Sequence, residues 1–311
     1  MAYQIISDGS CDLPPELARQ KNIHVVPFYV SFDGVHYKKE IEEVNIREFY
    51  QEMIDRPGVY PKSSLPSVQD YINAFTPYVS QGIPILCICI STKFSGSRES
   101  AKSAADILSE TYPDCQIHVT DAAMNTVLQG LLVLEAASFR DSGASYEECI
   151  TCVERIKETG RIFFTIGSMD YLRQGGRIGR LAGLAADTLG IKPLILLKEG
   201  DIFPVGITRS RKKAKEKLAA QEPLPDTRNE KEEPRTHSVR SSFLFLLSPL
   251  SSDTCQAVPK STSRNRAARP VICFRRRISS LSIPRCFEIH ASECPYGIIT
   301  TNRKSPVESR V

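Results

Sequence analysis

Serine and glycine follow an apolar run in the segment 91–101, which reads STKFSGSRESA. The run, residues 83–90, is typical of a strand buried in a parallel sheet, and a helical pattern begins directly after the turn. At this point Ser95, Gly96 and Ser97 would offer hydroxyl groups and the backbone N–H groups of a helix N-terminus to an anion. Serine and glycine are also common helix caps, so capping alone explains the same residues.

Two acidic residues also follow predicted strands. Asp8 ends the first strand, and Asp121 ends the strand predicted over residues 116–121. In an open parallel sheet, ligands bind beyond the carboxyl ends of the strands, so both carboxylates would share that edge with Ser95. Asp8 is interpreted either as a cap or as an acidic site residue.

A third group of hydroxyls lies in the Pro-bounded segment PKSSLPS, residues 61–67. Ser67 opens a capping box with Asp70, and capping is sufficient to explain it. Ser63 and Ser64 have no such structural task. They are therefore candidate ligand-binding residues in a predicted loop.

Several other kinds of site find little support. The sequence contains no Walker loop, nucleophile elbow, H-E-x-x-H or G-x-G-x-x-G motif. The spacing of Cys149 and Cys152 occurs in redox and zinc sites, but no second ligand pair lies nearby. Histidines at positions 24, 36 and 118 lie in strand-like contexts that favour a structural role. No cofactor or metal is expected.

Composition indicates a chain with two packed lobes. Its 311 residues are 41% hydrophobic, and no apolar run reaches the length of a membrane span. The N-terminus enters a strand without a basic leader or an apolar signal core, so a cytoplasmic protein is expected. Cys87 and Cys89 alternate inside an apolar strand and are interpreted as reduced core residues.

The tail, residues 221–311, differs sharply from the preceding chain. Residues 1–220 carry 25 basic and 27 acidic side chains, whereas the tail carries 15 basic and 9 acidic side chains and one glycine. The tail shows neither strand nor helix periodicity. It is either a natural disordered extension or a stretch translated out of frame. The second is favoured because disordered tails usually avoid scattered Cys, Phe and Ile. Its arginines do not by themselves indicate a nucleic-acid site.

Alternating patterns predict an α/β fold. Strands at 83–90 and 116–121 alternate with helices at 97–110 and 125–140, which indicates a mainly parallel sheet with helices on both faces. This N-terminal lobe is assigned to residues 1–158. Within it, Asp33-Gly34 predicts a two-residue hairpin turn.

The second lobe starts at residue 159 and reaches residue 220. It is predicted to contain a strand at 161–168, a small-residue helix at 178–190, a hairpin over 191–209 and a basic helix over 211–220. Antiparallel strands make it a smaller α+β lobe, different in kind from the first, and it is expected to be incomplete.

Six segments in order resemble the DegV family of bacterial fatty-acid-binding proteins. They are DGSCDLP (8–14), PKSSLPS (61–67), STKFSGS (91–97), DYLRQGGRIG (170–179), LGIKPLI (189–195) and TRSRKKA (208–214). The resemblance covers about residues 3–220. It implies a two-lobed protein that holds a long-chain fatty acid between its lobes. It also implies that the protein, without catalysis of its own, presents the carboxylate to a separate fatty acid kinase subunit that makes the acyl phosphate.

The resemblance also assigns roles to individual residues. Ser63 takes the position of the family's loop Thr or Ser, and Ser95 takes that of its carboxylate-binding serine. Arg209 or Arg211 would lie near the phosphate, and Arg177 would face the kinase. The family continues with further strands and a histidine near the phosphate position, and this chain has no matching segment. An exposed sheet edge and a defective pocket are therefore expected.

Two other functions stay open from sequence alone. One is a phosphoryl-transfer enzyme acting on a small hydroxylated substrate, with Asp8 and Asp121 as metal or base residues. The other is a regulatory protein that senses free fatty acid. The enzyme would need a nucleotide site, whereas the sensor would need no kinase partner.

Overall fold

The computed structural model of the chain describes residues 3–183 and 191–219, together with the backbone of residues 271–273. The strands are β1 (Gln4–Asp8), β2 (Ile23–Val26), β3 (Tyr29–Ser31), β4 (Lys38–Lys39), β5 (Lys62–Ser64), β6 (Ile85–Cys89), β7 (Ile117–Asp121), β8 (Ile162–Thr165), β9 (Lys192–Lys198), β10 (Asp201–Thr208) and β11 (Val271–Cys273). The helices are α1 (Pro15–Gln20), α2 (Ile46–Asp55), α3 (Val68–Val79), α4 (Ser97–Thr111), α5 (Thr126–Asp141), α6 (Tyr146–Lys157), α7 (Asp170–Gln174) and α8 (Arg211–Ala219).

A parallel sheet forms the centre of the first lobe. Its strand order is β2-β1-β6-β7, and every pair in it is parallel. All residues of β1 and β6 are buried, which fits strands covered by helices on both faces. Successive side chains point to opposite faces, so Ile88 packs with α5 and α6 whereas Cys87 packs with α3 and α4. The predicted fold class is confirmed here.

Local sequence signals fix the starts of α3 and α6, and the signal at α3 was predicted. Ser67 accepts a hydrogen bond from the Asp70 backbone N–H at 3.1 Å, and Asp70 Oδ2 accepts from the Ser67 backbone N–H at 2.8 Å. This reciprocal pair is the capping box expected at α3. Ser145 forms the same arrangement with Glu148 at α6.

A small antiparallel sheet, ordered β4-β3-β5, lies beside the parallel one. The expected pairing across Asp33-Gly34 is present, but the two-residue turn is wrong because residues 32–37 all belong to the connection. Asp33 Oδ1 accepts from the backbone N–H groups of Val35 and His36, each at 2.8 Å. These bonds satisfy the backbone of a wider loop.

The second lobe is built on an antiparallel sheet ordered β10-β9-β8-β11. Ala214 and Leu218 of α8 pack on one face against Leu194 and Leu196. The predicted hairpin is confirmed as β9 and β10. Within the described part of the chain β10 is an edge strand, and Val205 and Ile207 are 37% and 51% exposed.

The two lobes share one hydrophobic core. Ile162, Ile195 and Leu197 of the second sheet belong to the same buried cluster as Leu128 and Leu132 of α5. Gly160 permits this close approach, since a Cβ built on it would lie 2.3 Å from Met124 Cε. The lobes are therefore packed together at the start of β8.

Some predictions for the second lobe are only partly covered by the described residues. Residues 179–183 form a 3-10 helix at the start of the expected small-residue helix, and residues 184–190 lie outside the described chain. The basic helix is confirmed as α8. Apart from the backbone of β11, the predictions for residues 221–311 also lie outside it.

Candidate functional site

Asp8 is fully buried at the end of β1, beneath the segment that follows β6. Its Oδ2 accepts hydrogen bonds from the Ile90 backbone N–H at 2.9 Å and from the Ser97 hydroxyl at 2.7 Å. Its Oδ1 accepts from Gln129 Nε2 at 2.8 Å. Burial raises the pKa of Asp8, and these donors offset part of that rise. Asp8 therefore supports the site from below and has no exposed surface for a ligand.

The segment 91–97, which we call the Ser95 turn, is ordered by a directed series of hydrogen bonds. Ser97 donates to Asp8, so its oxygen accepts from the Tyr71 hydroxyl, which lies 2.7 Å away. The Ser97 backbone N–H donates to Ser95 Oγ at 3.2 Å. That bond uses the oxygen of Ser95 and not its hydrogen. The Ser95 oxygen therefore accepts a bond within the turn, and its hydroxyl hydrogen remains able to donate to a ligand.

Ser63 is exposed on β5, and it pairs with Val30 of β3. The predicted loop is therefore wrong at this point, because pairing with β3 extends the backbone of residues 62–64 into a strand. A Cβ built on Gly96 would lie 3.5 Å from Leu65 Cδ2. Since Leu65 follows β5 and Gly96 follows Ser95, the structure brings the two serine-bearing segments together.

Arg177 is exposed and contacts the Ser95 turn. Its Nε donates to the Phe94 carbonyl oxygen at 3.0 Å, and its Nη1 donates to the Gly175 carbonyl oxygen at 2.5 Å. Arg209 and Arg211 have a different setting: they follow β10, at the opposite end of that strand from Gly200. Arg177 therefore has a hydrogen bond to the backbone beside Ser95.

Asp121 is committed to the loop that follows β7. Its Oδ2 accepts from Thr92 Oγ1 at 2.6 Å, and its Oδ1 accepts from the Ala123 backbone N–H at 2.6 Å. The described residues contain no group of three or more His, Cys, Asp or Glu side chains that could hold a metal ion. Asp8 is also hydrogen-bonded to its own loop neighbours, so both carboxylates hold loops in place. This arrangement disfavours the phosphoryl-transfer enzyme, which would need one of them as a base or a metal ligand.

The cysteines of α6 serve packing. Cys149 is buried against α5, with its Sγ 3.6 Å from the Ala136 carbonyl oxygen, and Cys152 is partly buried. Both are free thiols, as are the buried Cys87 and Cys89. Burial raises the pKa of Cys149, which disfavours the reactive thiolate.

Sequence reasoning missed two residues that shape the site. Ser91 is buried at the start of the Ser95 turn, and Gln129 reaches Asp8 from α5. Ser97 was identified, but as a hydroxyl offered to an anion, whereas it is buried and donates to Asp8. Gln129 carried a usable signal, because it is a single amide within the apolar run TVLQGLLVL. The roles of the two serines depend on tertiary partners that no local pattern identifies.

Two cavities lie away from these residues. A groove of about 550 Å³ lies between α2 and the small sheet, and none of the six predicted site residues lines it. A slit of about 10 Å³ lies at the junction of the lobes, lined by Met124, Leu128 and Gly160 among others. That slit has room for about one water molecule, so the residues that line it would have to move apart to admit a hydrocarbon chain between the lobes.

The helices of the described chain were also compared with the length of a membrane span. Among residues 3–183 and 191–219, no helix is both long enough and apolar enough to cross a membrane.

Comparison with solved structures identifies lipid-binding relatives. A stearic acid-binding protein from Eubacterium ventriosum shares 43% sequence identity and a TM-score of 0.68, over 70% of this chain and 74% of that one. The Fatty Acid Kinase B3 protein from Streptococcus pneumoniae, loaded with linoleic acid, shares 26% identity and a TM-score of 0.61, over 70% of this chain and 76% of that one. Both similarities cover most of the relative's length.

Sequence comparisons agree with the structural ones. A DegV domain-containing protein from Clostridium perfringens is 32% identical over 214 residues, which is 68% of this chain and 73% of the relative. The family model described as "Uncharacterised protein, DegV family" matches residues 2–242, so the match extends past residue 220 into the tail. The chain therefore belongs to the DegV family.

Proposed function

We propose that this protein binds a long-chain fatty acid between its two lobes and presents the carboxylate to a separate fatty acid kinase. The observation that carries the proposal is the Ser95 hydroxyl, whose oxygen accepts from the Ser97 N–H while its hydrogen stays available. Ser63 is exposed on the neighbouring segment. Together they offer two hydroxyl donors to the two oxygens of one carboxylate.

The acyl chain and the carboxylate of the ligand are expected to contribute differently to binding. Burying about fifteen methylenes at about 0.8 kcal/mol each would contribute about 12 kcal/mol before the costs of ordering. A hydrogen bond to a charged group contributes about 1.5–3 kcal/mol, and desolvation of the carboxylate offsets much of it. The acyl chain would therefore supply most of the affinity, and Ser63 and Ser95 would set the orientation.

Hydroxyl donors also suit a carboxylate that must react later. A bidentate arginine would hold both carboxylate oxygens firmly and stabilise their charge. Two serines make weaker, separable bonds, so one carboxylate oxygen can leave its donor and attack the γ-phosphorus of ATP on the kinase, with cleavage of the bond to the bridging oxygen and release of ADP. This chemistry supports a carrier without catalysis of its own.

The kinase partner rests on the likeness to the Streptococcus pneumoniae Fatty Acid Kinase B3 protein. On this proposal Arg177 borders the surface that the kinase approaches, since it lies beside Ser95. The resemblance places Arg209 or Arg211 near the phosphate, although both residues follow the end of β10 that is opposite to Gly200. A cytoplasmic location, where such a kinase would find ATP, stays a prediction.

The first test is native mass spectrometry of the purified chain, followed by solvent extraction and identification of the lipid. The wild type is expected to carry a fatty acid, and the Ser63→Ala/Ser95→Ala double variant is expected to lose it or hold it weakly. Ser64→Ala, a neighbouring exposed serine, is the matched control. A folded wild type that binds no fatty acid when it is supplied would reject the proposal.

A further inference from the structure

The Ser95 turn is held by both lobes, and Ser95 lies between the two sets of contacts. On the C-terminal side, Ser97 donates to Asp8 of the first lobe at 2.7 Å. On the N-terminal side, Ser91 Oγ donates to the Gly200 carbonyl oxygen of the second lobe at 2.8 Å. The position of Ser95 therefore depends on how the second lobe is seated against the first.

The contact between Ser91 and Gly200 is tight. Ser91 is 1% exposed, and Gly200 is buried in the connection between β9 and β10 with a φ of +75°. A Cβ built on Gly200 would lie 2.5 Å from Ser91 Oγ. Ser91 Oγ also accepts from the Lys93 backbone N–H at 3.2 Å, so this hydroxyl organises the start of the turn as well as the lobe contact.

A second contact comes from the segment 170–177, which touches both serine-bearing segments. Arg177 Nε donates to the carbonyl oxygen of Phe94, the residue before Ser95. The ring of Tyr171 packs edge-on against that of Tyr60, just before β5, with their centroids 5.0 Å apart. Segment 170–177 therefore contacts both the Ser95 turn and Tyr60, which lies three residues before Ser63.

We propose that Ser91 and Arg177 are positioning residues for the carboxylate site. They couple the position of the second lobe to the position of the Ser95 hydroxyl. The hydroxyls of Ser63 and Ser95 bind one carboxylate only when Ser91 contacts Gly200 and Arg177 contacts Phe94. The inference rests on the proposed function, because it concerns how that site recognises a carboxylate. It assigns Arg177 a task within the protein, apart from any contact with a kinase.

The test compares two ligands that differ only in the head group, myristic acid and myristyl alcohol. Their affinities are measured by fluorescence displacement for the wild type and for the Ser91→Ala and Arg177→Gln variants. Both variants are expected to lose at least about tenfold in affinity for the acid and less than about twofold for the alcohol. Ser91 carries no charge, so loss of attraction between Arg177 and the carboxylate cannot explain a shared effect.

Arg180→Gln is the matched control. Arg180 lies in the same part of the second lobe, but its Nε donates to Asp201 of that lobe at 3.0 Å and not to the Ser95 turn. Its variant is expected to bind both ligands as the wild type does. Thermal unfolding of each variant reports whether the fold is intact.

Each outcome has a distinct meaning. A wild type that prefers the acid, with variants that keep this preference, would overturn the positioning role and leave the proposed function standing. Equal loss of acid and alcohol in the variants would also overturn it, since that result indicates general damage. A wild type that binds neither ligand, or does not prefer the acid, would reject the proposed function and this inference with it.

Discussion

The Ser95 turn and the Ser63 strand present the same functional group in opposite ways. Ser95 is partly buried in a turn whose neighbours on both sides are bonded to buried groups. Ser63 is exposed on a three-residue strand paired to β3. One hydroxyl is held by tertiary contacts, and the other is held mainly by a short ladder of backbone bonds.

This difference has an energetic consequence for binding. A donor that is already oriented loses little freedom when the ligand arrives, so more of its hydrogen bond appears as affinity. An exposed donor must exchange a bond to water for the bond to the ligand. Ser95 is therefore expected to contribute more to binding than Ser63, although the resemblance treats them as a pair.

Asp8→Ala should have the largest effect, because it removes the support beneath the Ser95 turn. The variant leaves the Ile90 N–H, the Ser97 hydroxyl and the Gln129 amide without their shared acceptor. Urea denaturation is expected to show a loss of about 3 kcal/mol or more in the free energy of unfolding. A loss below about 1 kcal/mol would show that the turn does not depend on this carboxylate.

Asp8→Asn sharpens the same prediction through pH. Burial raises the pKa of Asp8, so the folded chain holds that proton more tightly than the unfolded chain. This contribution to wild-type stability is therefore fully present below the unfolded pKa of about 4 and is lost as the pH rises. The variant lacks it. The stability difference, wild type minus variant, should shrink as the pH rises above about 4, and growth of that difference would contradict the assignment.

Ser95→Ala should have the next largest effect, and it should act on affinity. Loss of an oriented bond to a carboxylate is worth about 1.5–3 kcal/mol, which corresponds to about 10- to 150-fold in the dissociation constant for a fatty acid. Isothermal titration calorimetry measures this change. An unchanged dissociation constant would mean that the carboxylate lies elsewhere.

Ser67→Ala should separate capping from binding within PKSSLPS. Ser67 Oγ accepts from the Asp70 N–H at the start of α3, so the variant should lose about 1 kcal/mol of stability. Thermal unfolding measures this loss. Fatty acid affinity should stay within about twofold of the wild type, and a larger loss would place Ser67 in the site.

Ser63→Ala should have the smallest effect. The exposed hydroxyl competes with water, so the expected loss is about 0.5–1 kcal/mol, or about two- to fivefold in affinity. The measurement is the same titration used for Ser95→Ala. An effect larger than that of Ser95→Ala would reverse the comparison between the two segments.

Much of the fold was predictable because its signals are local. Alternating strands and helices in the first lobe indicated a parallel sheet, and the capping box at Ser67 fixed the start of α3. The loop around Asp33 and the strand at Ser63 were missed. The Asp33 loop was missed because β3 pairs with Lys38–Lys39, which leaves residues 32–37 in the connection. The strand at Ser63 was missed because its partner, β3, lies more than 30 positions earlier in the sequence.

The candidate site was predictable in its residue types but not in its organisation. Ser63, Ser95 and Arg177 were identified from motifs, and the structure brings their segments together. Asp8 was identified too, as either a cap or an acidic site residue, whereas its carboxylate is buried beneath the site. A carboxylate at a strand end has the same local sequence in either position, and only the helices packed over it decide between them.

By itself, the sequence determined the central strands, most of the helices and the cap of α3, because hydrophobic periodicity and capping act over a few residues. It also determined that hydroxyl groups follow β6 and precede α3. Tertiary structure alone decided which of these hydroxyls is oriented. Ser95 takes its orientation from Asp8 through Ser97, and its turn is fastened to Gly200 through Ser91, by bonds between residues about 90 to 110 positions apart. Such bonds exist only after the chain has folded and both lobes are packed together.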